Sequence, residues 1–197
     1  MNADHQSPLV HHLDEHLTVV ESVRKLVPAV QSLADQVCAR LSGGGILYAF
    51  GNGGSAADAQ HLAGELVGRY CRERRPLPAV ALSTDPTVTT CIGNDYSFED
   101  VFARQVTALA RPGDVVVAFT TSGRSPNVVA GLRAGRHAGA LTVLFTGQPA
   151  AGGGPAARYA DHVLAVPSER TARVQEAHVL LLHLLSEHID RWAALPG

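Results

Sequence analysis

The chain has 197 residues, 46% of them hydrophobic, which is enough to bury one sizeable core in a single domain. Its 16 basic and 18 acidic residues leave a net charge of -2, so the broad positive field that nucleic acid or an anionic membrane would need is excluded. Cys38, Cys71 and Cys91 are odd in number and form no CxxC pair, residues 1–8 are polar, and no apolar run reaches the ~18 residues of a membrane span. These features predict a cytoplasmic protein without a disulfide framework, with no nucleic-acid or membrane partner.

Over residues 9–41 apolar side chains recur every three or four positions, at Leu9, Leu13, Leu17, Val20, Val23, Val27, Val30, Ala34, Val37 and Leu41. This spacing predicts a long amphipathic N-terminal helix, which Pro28 should bend or break. Standing ahead of the first strand, the helical segment 1–43 is expected to serve assembly. After Gly43-Gly44-Gly45 the texture changes to short apolar runs at 46–50, 79–82, 115–119, 141–145 and 163–166, separated by segments of helical spacing. Five buried strands alternating with helices predict an α/β fold, a doubly wound five-stranded parallel sheet of flavodoxin-like kind spanning 1–197 as one domain, because parallel neighbours need crossover connections. Ligands in such sheets sit beyond the carboxyl ends of the strands. The glycine- and proline-rich stretch 147–157 reads as a loose surface loop.

Two polar, glycine-containing loops follow strands. Gly51-Asn52-Gly53-Gly54-Ser55 leads into a helix from about Ala56, and Thr120-Thr121-Ser122-Gly123-Arg124-Ser125 leads into a helix after Pro126. Hydroxyls and backbone N–H groups at a helix N-terminus suit an anion. Neither loop has the Gly-Lys-Ser/Thr ending of a Walker loop or the GxGxxG spacing of a dinucleotide site, so a monophosphate on a small molecule fits better than a nucleotide. On the first of these helices His61 and Glu65 are four residues apart and share a face, a spacing that serves a divalent metal as readily as a surface polar pair. The last helix, from about Thr171 to Trp192, has Leu181, Leu182, Leu185 and Ile189 for packing, interrupted by Gln175, His178, His183 and His188.

Four stretches carry a resemblance: FGNGGSAADAQHLAGELVGRY at 50–70, IGNDYSFED at 92–100, TTSGRSPNV at 120–128 and ARVQEAHVLLLH at 172–183. In order and spacing they are similar to the phosphoheptose isomerases, or sedoheptulose 7-phosphate isomerases, of the sugar-isomerase (SIS) fold. The resemblance implies a metal-dependent aldose–ketose isomerase of sedoheptulose 7-phosphate that works through an enediol. It places metal ligands, usually for one zinc ion per subunit, at His61, Glu65, Gln175 and His183, and proton transfer at Glu65 and His183. Phosphate contacts fall on Thr121, Ser122 and Ser125, with Thr120 where a serine is frequent; sugar contacts fall on Asn52, Ser55, Asn94, Asp95 and Gln175, beside Glu65. A homotetramer is implied as well.

Three features qualify that picture. Ala172 stands where some members have aspartate, and the segment after Thr146-Gly147 lacks the Asp-Gly-Gly of many relatives. Gln175 and His183 are eight residues apart, about 12 Å of helix rise, so Gln175 either leans towards the ion or contacts only sugar while a water completes the coordination. The sequence also resembles the tetrameric, non-catalytic SIS protein that binds the bacterial replication initiator. That relative lacks the acid and the histidine that stand here at Glu65 and His183. A third reading, a sugar-phosphate-sensing regulator, would bring a DNA-binding module, for which 197 residues with no basic helix-turn-helix region leave little room.

Overall fold

The computed structural model describes residues 7–147 and 152–195. Helix α1 (Pro8–Val23) and helix α2 (Val27–Ser42) are separated by one 3-10 turn at Arg24–Leu26. The break expected at Pro28 is present, displaced towards the N-terminus, because Pro28 lies in the first turn of α2, where its missing N–H leaves no bond unmade. Then follow β1 (Leu47–Gly51), α3 (Gly54–Val67), β2 (Ala79–Ala81), α4 (Pro86–Asp95), α5 (Val101–Leu109), β3 (Val115–Phe119), α6 (Pro126–His137), β4 (Leu141–Gly147), β5 (His162–Val166) and α7 (Thr171–Ala193).

All five strands pair in parallel in the order β2-β1-β3-β4-β5. Alternate residues of each strand feed opposite faces. Leu47, Ala49, Val115, Val117, Phe119, Val143 and Phe145 enter one core with α2, α3 and α7, whereas Tyr48, Phe50, Val116, Ala118 and Leu144 enter a second core with α5 and α6. The packing residues read on the last helix, Leu181, Leu182, Leu185 and Ile189, are all fully buried in the first core; burying such a side chain contributes about 1.5–3 kcal/mol, which fixes α7 on the sheet.

The N-terminal stripe divides in two. Val23, Val30, Ala34, Val37 and Leu41 are spent on the chain's own core, with Leu33 and Cys38 added, while Leu9, Leu13 and Leu17 stay 73%, 62% and 64% exposed. Only the α1 part of the expected assembly face is therefore open. The stretch 147–157 is less loose than its composition suggests. Gly147 ends β4, residues 148–151 lie outside the described residues, and Pro155–Tyr159 forms a 3-10 turn with Ala156 buried. The Ala156 amide donates to the Gly123 carbonyl at 3.0 Å, which ties this turn to the loop after β3.

Candidate active site

Strand β1 is followed by β2 on one side and β3 on the other, so the chain reverses its winding between β1 and β3. The paired strand ends Gly51 and Phe119 mark that switch point, where the crevice of an open α/β sheet lies. Both polar loops leave from it. In the first, Asn52 and Asn127 exchange two hydrogen bonds of 2.8 Å through their amides, joining the β1 loop to the start of α6. The Gln175 amide packs directly against Gly54, where a Cβ would lie 2.4 Å from its Nε2 and would push that side chain away. Ser55 is buried in the first turn of α3.

In the second loop the buried Thr120 accepts the Gly123 amide through Oγ1 at 3.3 Å. Gly123 itself has φ +65°, and a Cβ there would lie 1.9 Å from the Gly153 carbonyl oxygen. Ser122 Oγ accepts the Arg124 amide at 3.2 Å, and Ser125 caps α6 by position while its hydroxyl makes no capping bond, which leaves it free for a ligand. Thr121, Ser122, Arg124, Glu169 and Thr171 line an open depression of about 230 Å³. Arg124 is the cation of that depression, and Glu169 is an opposing acid.

Beside the crevice, α3 and α7 run alongside each other in the same direction: Gln175 meets Gly54, and His183 meets His61 eight residues further on. Nε2 of His61 lies 3.0 Å from Oε1 of Glu65 and 3.2 Å from Nε2 of His183. The three donor atoms lie within 4.8 Å of one another. Two imidazole nitrogens facing at this distance can share at most one proton, and a carboxylate facing both makes the cluster a place for a cation. Tetrahedral zinc with ligands at about 2.0–2.2 Å would set its donors ~3.4 Å apart, so these residues fit such an ion with small adjustment. Burial and the neighbouring His61 push the His183 pKa down, while Glu65 partly offsets them; the net effect favours the neutral imidazole that ligation needs.

The SIS-domain family description matches residues 11–147. The phosphoheptose isomerase of Aquifex aeolicus is 50% identical over 161 residues, covering 82% of this chain and 83% of that protein. The chain belongs to the phosphoheptose isomerase family. A phosphoheptose isomerase structure from Neisseria gonorrhoeae has a TM-score of 0.86 at 41% identity, covering 93% of this chain and 97% of that one. A phosphoheptose isomerase structure from Francisella tularensis has a TM-score of 0.87 at 31% identity, covering 93% and 96%.

Of the residues that resemblance to the phosphoheptose isomerases points to, His61, Glu65 and His183 come together as one cluster, and Asn52, Ser55, Thr120, Thr121, Ser122 and Ser125 lie on the two crevice loops. Gln175 places its amide against Gly54, seven residues and about 10 Å of helix rise before His61, towards the start of α3. Asn94 and Asp95 sit on the exposed end of α4, where Asn94 donates to Asp95 at 2.8 Å, apart from the other site residues. Four residues to which sequence alone assigns no site role belong here. Asn127 secures Asn52, and the Tyr70 ring lies 5.5 Å from that of His183. Asp58, one turn before His61, is buried with Oδ2 unpartnered, and burial raises its pKa to about 6. His178 is fully buried between Phe119 and Phe145, and burial lowers its pKa to about 4. Asp58 at i-3 from His61 and His178 between Gln175 and His183 were legible as neighbours on a helix, but their burial was not.

Proposed function

We propose that the protein interconverts sedoheptulose 7-phosphate and D-glycero-D-manno-heptose 7-phosphate by proton transfer through an enediol. The observation that carries this reading is the His61, Glu65 and His183 cluster standing beside two hydroxyl-bearing loops at the sheet's switch point, in a member of the phosphoheptose isomerase family. The loop amides after β3, the hydroxyls of Thr121, Ser122 and Ser125 and the N-terminus of α6 grip the phosphate, with the Thr120 hydroxyl shaping that loop. Asn52, Ser55 and Gln175 orient the sugar chain.

Isomerisation removes a proton from C1 of the ketose and delivers one to C2, so it needs basic atoms close to both carbons. Glu65 and His183 are assigned that task from two helices, a reading supported by Oε1 of Glu65 and Nε2 of His183 lying 3.0 and 3.2 Å from Nε2 of His61. A divalent ion such as zinc, held by His61, Glu65 and His183 with Gln175 or a water in the fourth place, would supply a Lewis acid for charge developing on the substrate oxygens. Ligation requires both imidazoles neutral, so metal retention and activity decline together as pH falls through the histidine range. The exposed Leu9, Leu13 and Leu17 supply the face for a homotetramer, and the working compartment is the cytoplasm; no helix among the described residues is long and apolar enough to cross a membrane.

The test is to incubate the purified protein, zinc supplied, with sedoheptulose 7-phosphate and separately with unphosphorylated sedoheptulose, following both by NMR. An aldoheptose phosphate from the first and nothing from the second is expected. Absence of product from the first moves the protein to the replication-initiator-binding reading.

A further inference from the structure

Beyond the candidate site, the segment that follows α3 meets α7 at a second polar contact. The Arg74 and Asp190 side chains are 1% and 0% exposed, and Nε of Arg74 donates to Oδ1 of Asp190 at 3.0 Å. The other oxygen of Asp190 accepts the Cys71 and Arg72 amides at 3.1 and 2.6 Å. The Arg74 guanidinium turns the rest of its fork onto the end of α3: Nη2 donates to the Glu65 carbonyl at 2.6 Å, and Nη1 to the Leu66 carbonyl at 2.8 Å. It thereby caps carbonyls that the helix leaves without partners and places a cation at the negative end of the helix dipole.

We propose that the Arg74–Asp190 pair is a positioning device that fixes the register of α3 against α7 and with it the separation of Glu65 from His183. The inference rests on the reading of His61, Glu65 and His183 as the reaction centre. Arg74 holds the main chain of Glu65 itself, and Asp190 stands seven residues, about two turns, beyond His183 on the same face of α7. Both ends of the clasp are thus rigidly joined to the residues whose spacing matters. Neither residue can touch substrate, being sealed from solvent. Apolar contacts between helices such as Leu62, Leu66 and Leu181 tolerate small slides, whereas a guanidinium fork with fixed donors does not. A buried ion pair is a weak source of stability compared with apolar packing, so its use here points to geometry.

The test is Arg74→Lys, which keeps a cation for Asp190 and loses the fork to Glu65 and Leu66, assayed well below its own melting temperature. A shift of about 1 Å at a reaction centre costs up to ~100-fold, so kcat should fall at least about tenfold while KM stays within about twofold. Zinc retention in equilibrium dialysis should weaken as well. The double variant Arg74→Met with Asp190→Leu refills the volume without the charges; it should melt above Arg74→Met alone yet keep the low kcat and weak zinc retention. Arg191→Gln, which removes a neighbouring exposed arginine, should match the native protein. If Arg74→Lys does not fold, Asp190→Glu, which lengthens the arm and keeps the charge, takes its place with the same expectations. Native kcat and zinc retention in folded Arg74→Lys, or recovery of both in the double variant along with stability, would overturn the proposal. If the native protein proves to have no isomerase activity, the functional reading fails while the dialysis comparison still decides the register.

Discussion

The two polar contacts that α7 makes, one with α3 and one with the segment that follows it, are built in opposite ways. At the Arg74–Asp190 contact the carboxylate and guanidinium are sealed from solvent and saturated with hydrogen bonds. Burial alone would raise the Asp190 pKa, but the Arg72 and Cys71 amides and the Arg74 guanidinium outweigh it and hold it below the usual range. At the His61, Glu65 and His183 contact, part-exposed acceptors face one another with too few protons between them. Buried groups without a hydrogen-bond partner also occur on these two helices, Asp58 on α3 and His178 and Ser186 on α7. A polar contact that serves structure satisfies itself; one that serves chemistry leaves places for a ligand.

That contrast can be broken most sharply at Glu65. Glu65→Gln keeps size and a ligating oxygen but removes basicity, so turnover should fall by about 100- to 10,000-fold with fold and assembly intact. Compared with His61→Ala, with turnover, bound metal and melting temperature measured for each, it should lose turnover even where metal remains; activity that tracks metal content across both variants would reduce Glu65 to a ligand. At the saturated contact the expectation reverses. Asp190→Ala leaves the Arg74 charge buried without its partner and should destabilise the protein by about 3–5 kcal/mol in denaturant unfolding.

The unpartnered groups give a pH signature. His178 has a folded pKa of about 4, below its unfolded value of 6.5, so the unfolded chain binds the extra proton and stability is lost as pH falls from 6.5 to 4. Asp58 has a folded pKa of about 6, above its unfolded 3.8, so its effect is opposite: stability is lost as pH rises from 3.8 to 6. Each is worth on the order of 3 kcal/mol, and they largely cancel. Asp58→Asn should therefore unmask a rise in stability with pH between 4 and 6.5 and be more stable than the native protein at pH 7.5. Unfolding curves at pH 4.5 and 7.5 check it; parallel pH profiles for the two proteins would show that Asp58 is paired. The smallest effect is expected outside both contacts. Leu13→Glu on the exposed face of α1 should change monomer stability by less than about 0.5 kcal/mol while lowering the mass seen by light scattering.

Local pattern made most of the fold legible. The strand runs predicted at 46–50, 115–119 and 141–145 lie within two residues of β1, β3 and β4, because strands buried on both faces are continuous apolar runs. The parallel crossovers then placed both loops at one end of the sheet. Burial in the N-terminal segment was not legible: Leu13 and Val37 fit the same period, yet one faces solvent and the other the core, since only tertiary packing decides. The site divides likewise. His61 and Glu65 share a helix face, but His183 lies 122 residues from His61, and only family resemblance joined them. Asp190 and Arg74, 116 residues apart, had neither a shared face nor a family motif to connect them, so the saturated contact appeared only with the parallel alignment of α3 and α7.

Proton transfer on a heptose phosphate is tested by one NMR measurement in D2O with sedoheptulose 7-phosphate, native protein and zinc. Transfer through an enediol with basic groups at Glu65 and His183 predicts an aldoheptose phosphate carrying deuterium at C2, and no such product with Glu65→Gln. Unchanged ketose with fully folded, zinc-loaded native protein would rule out isomerisation at this site.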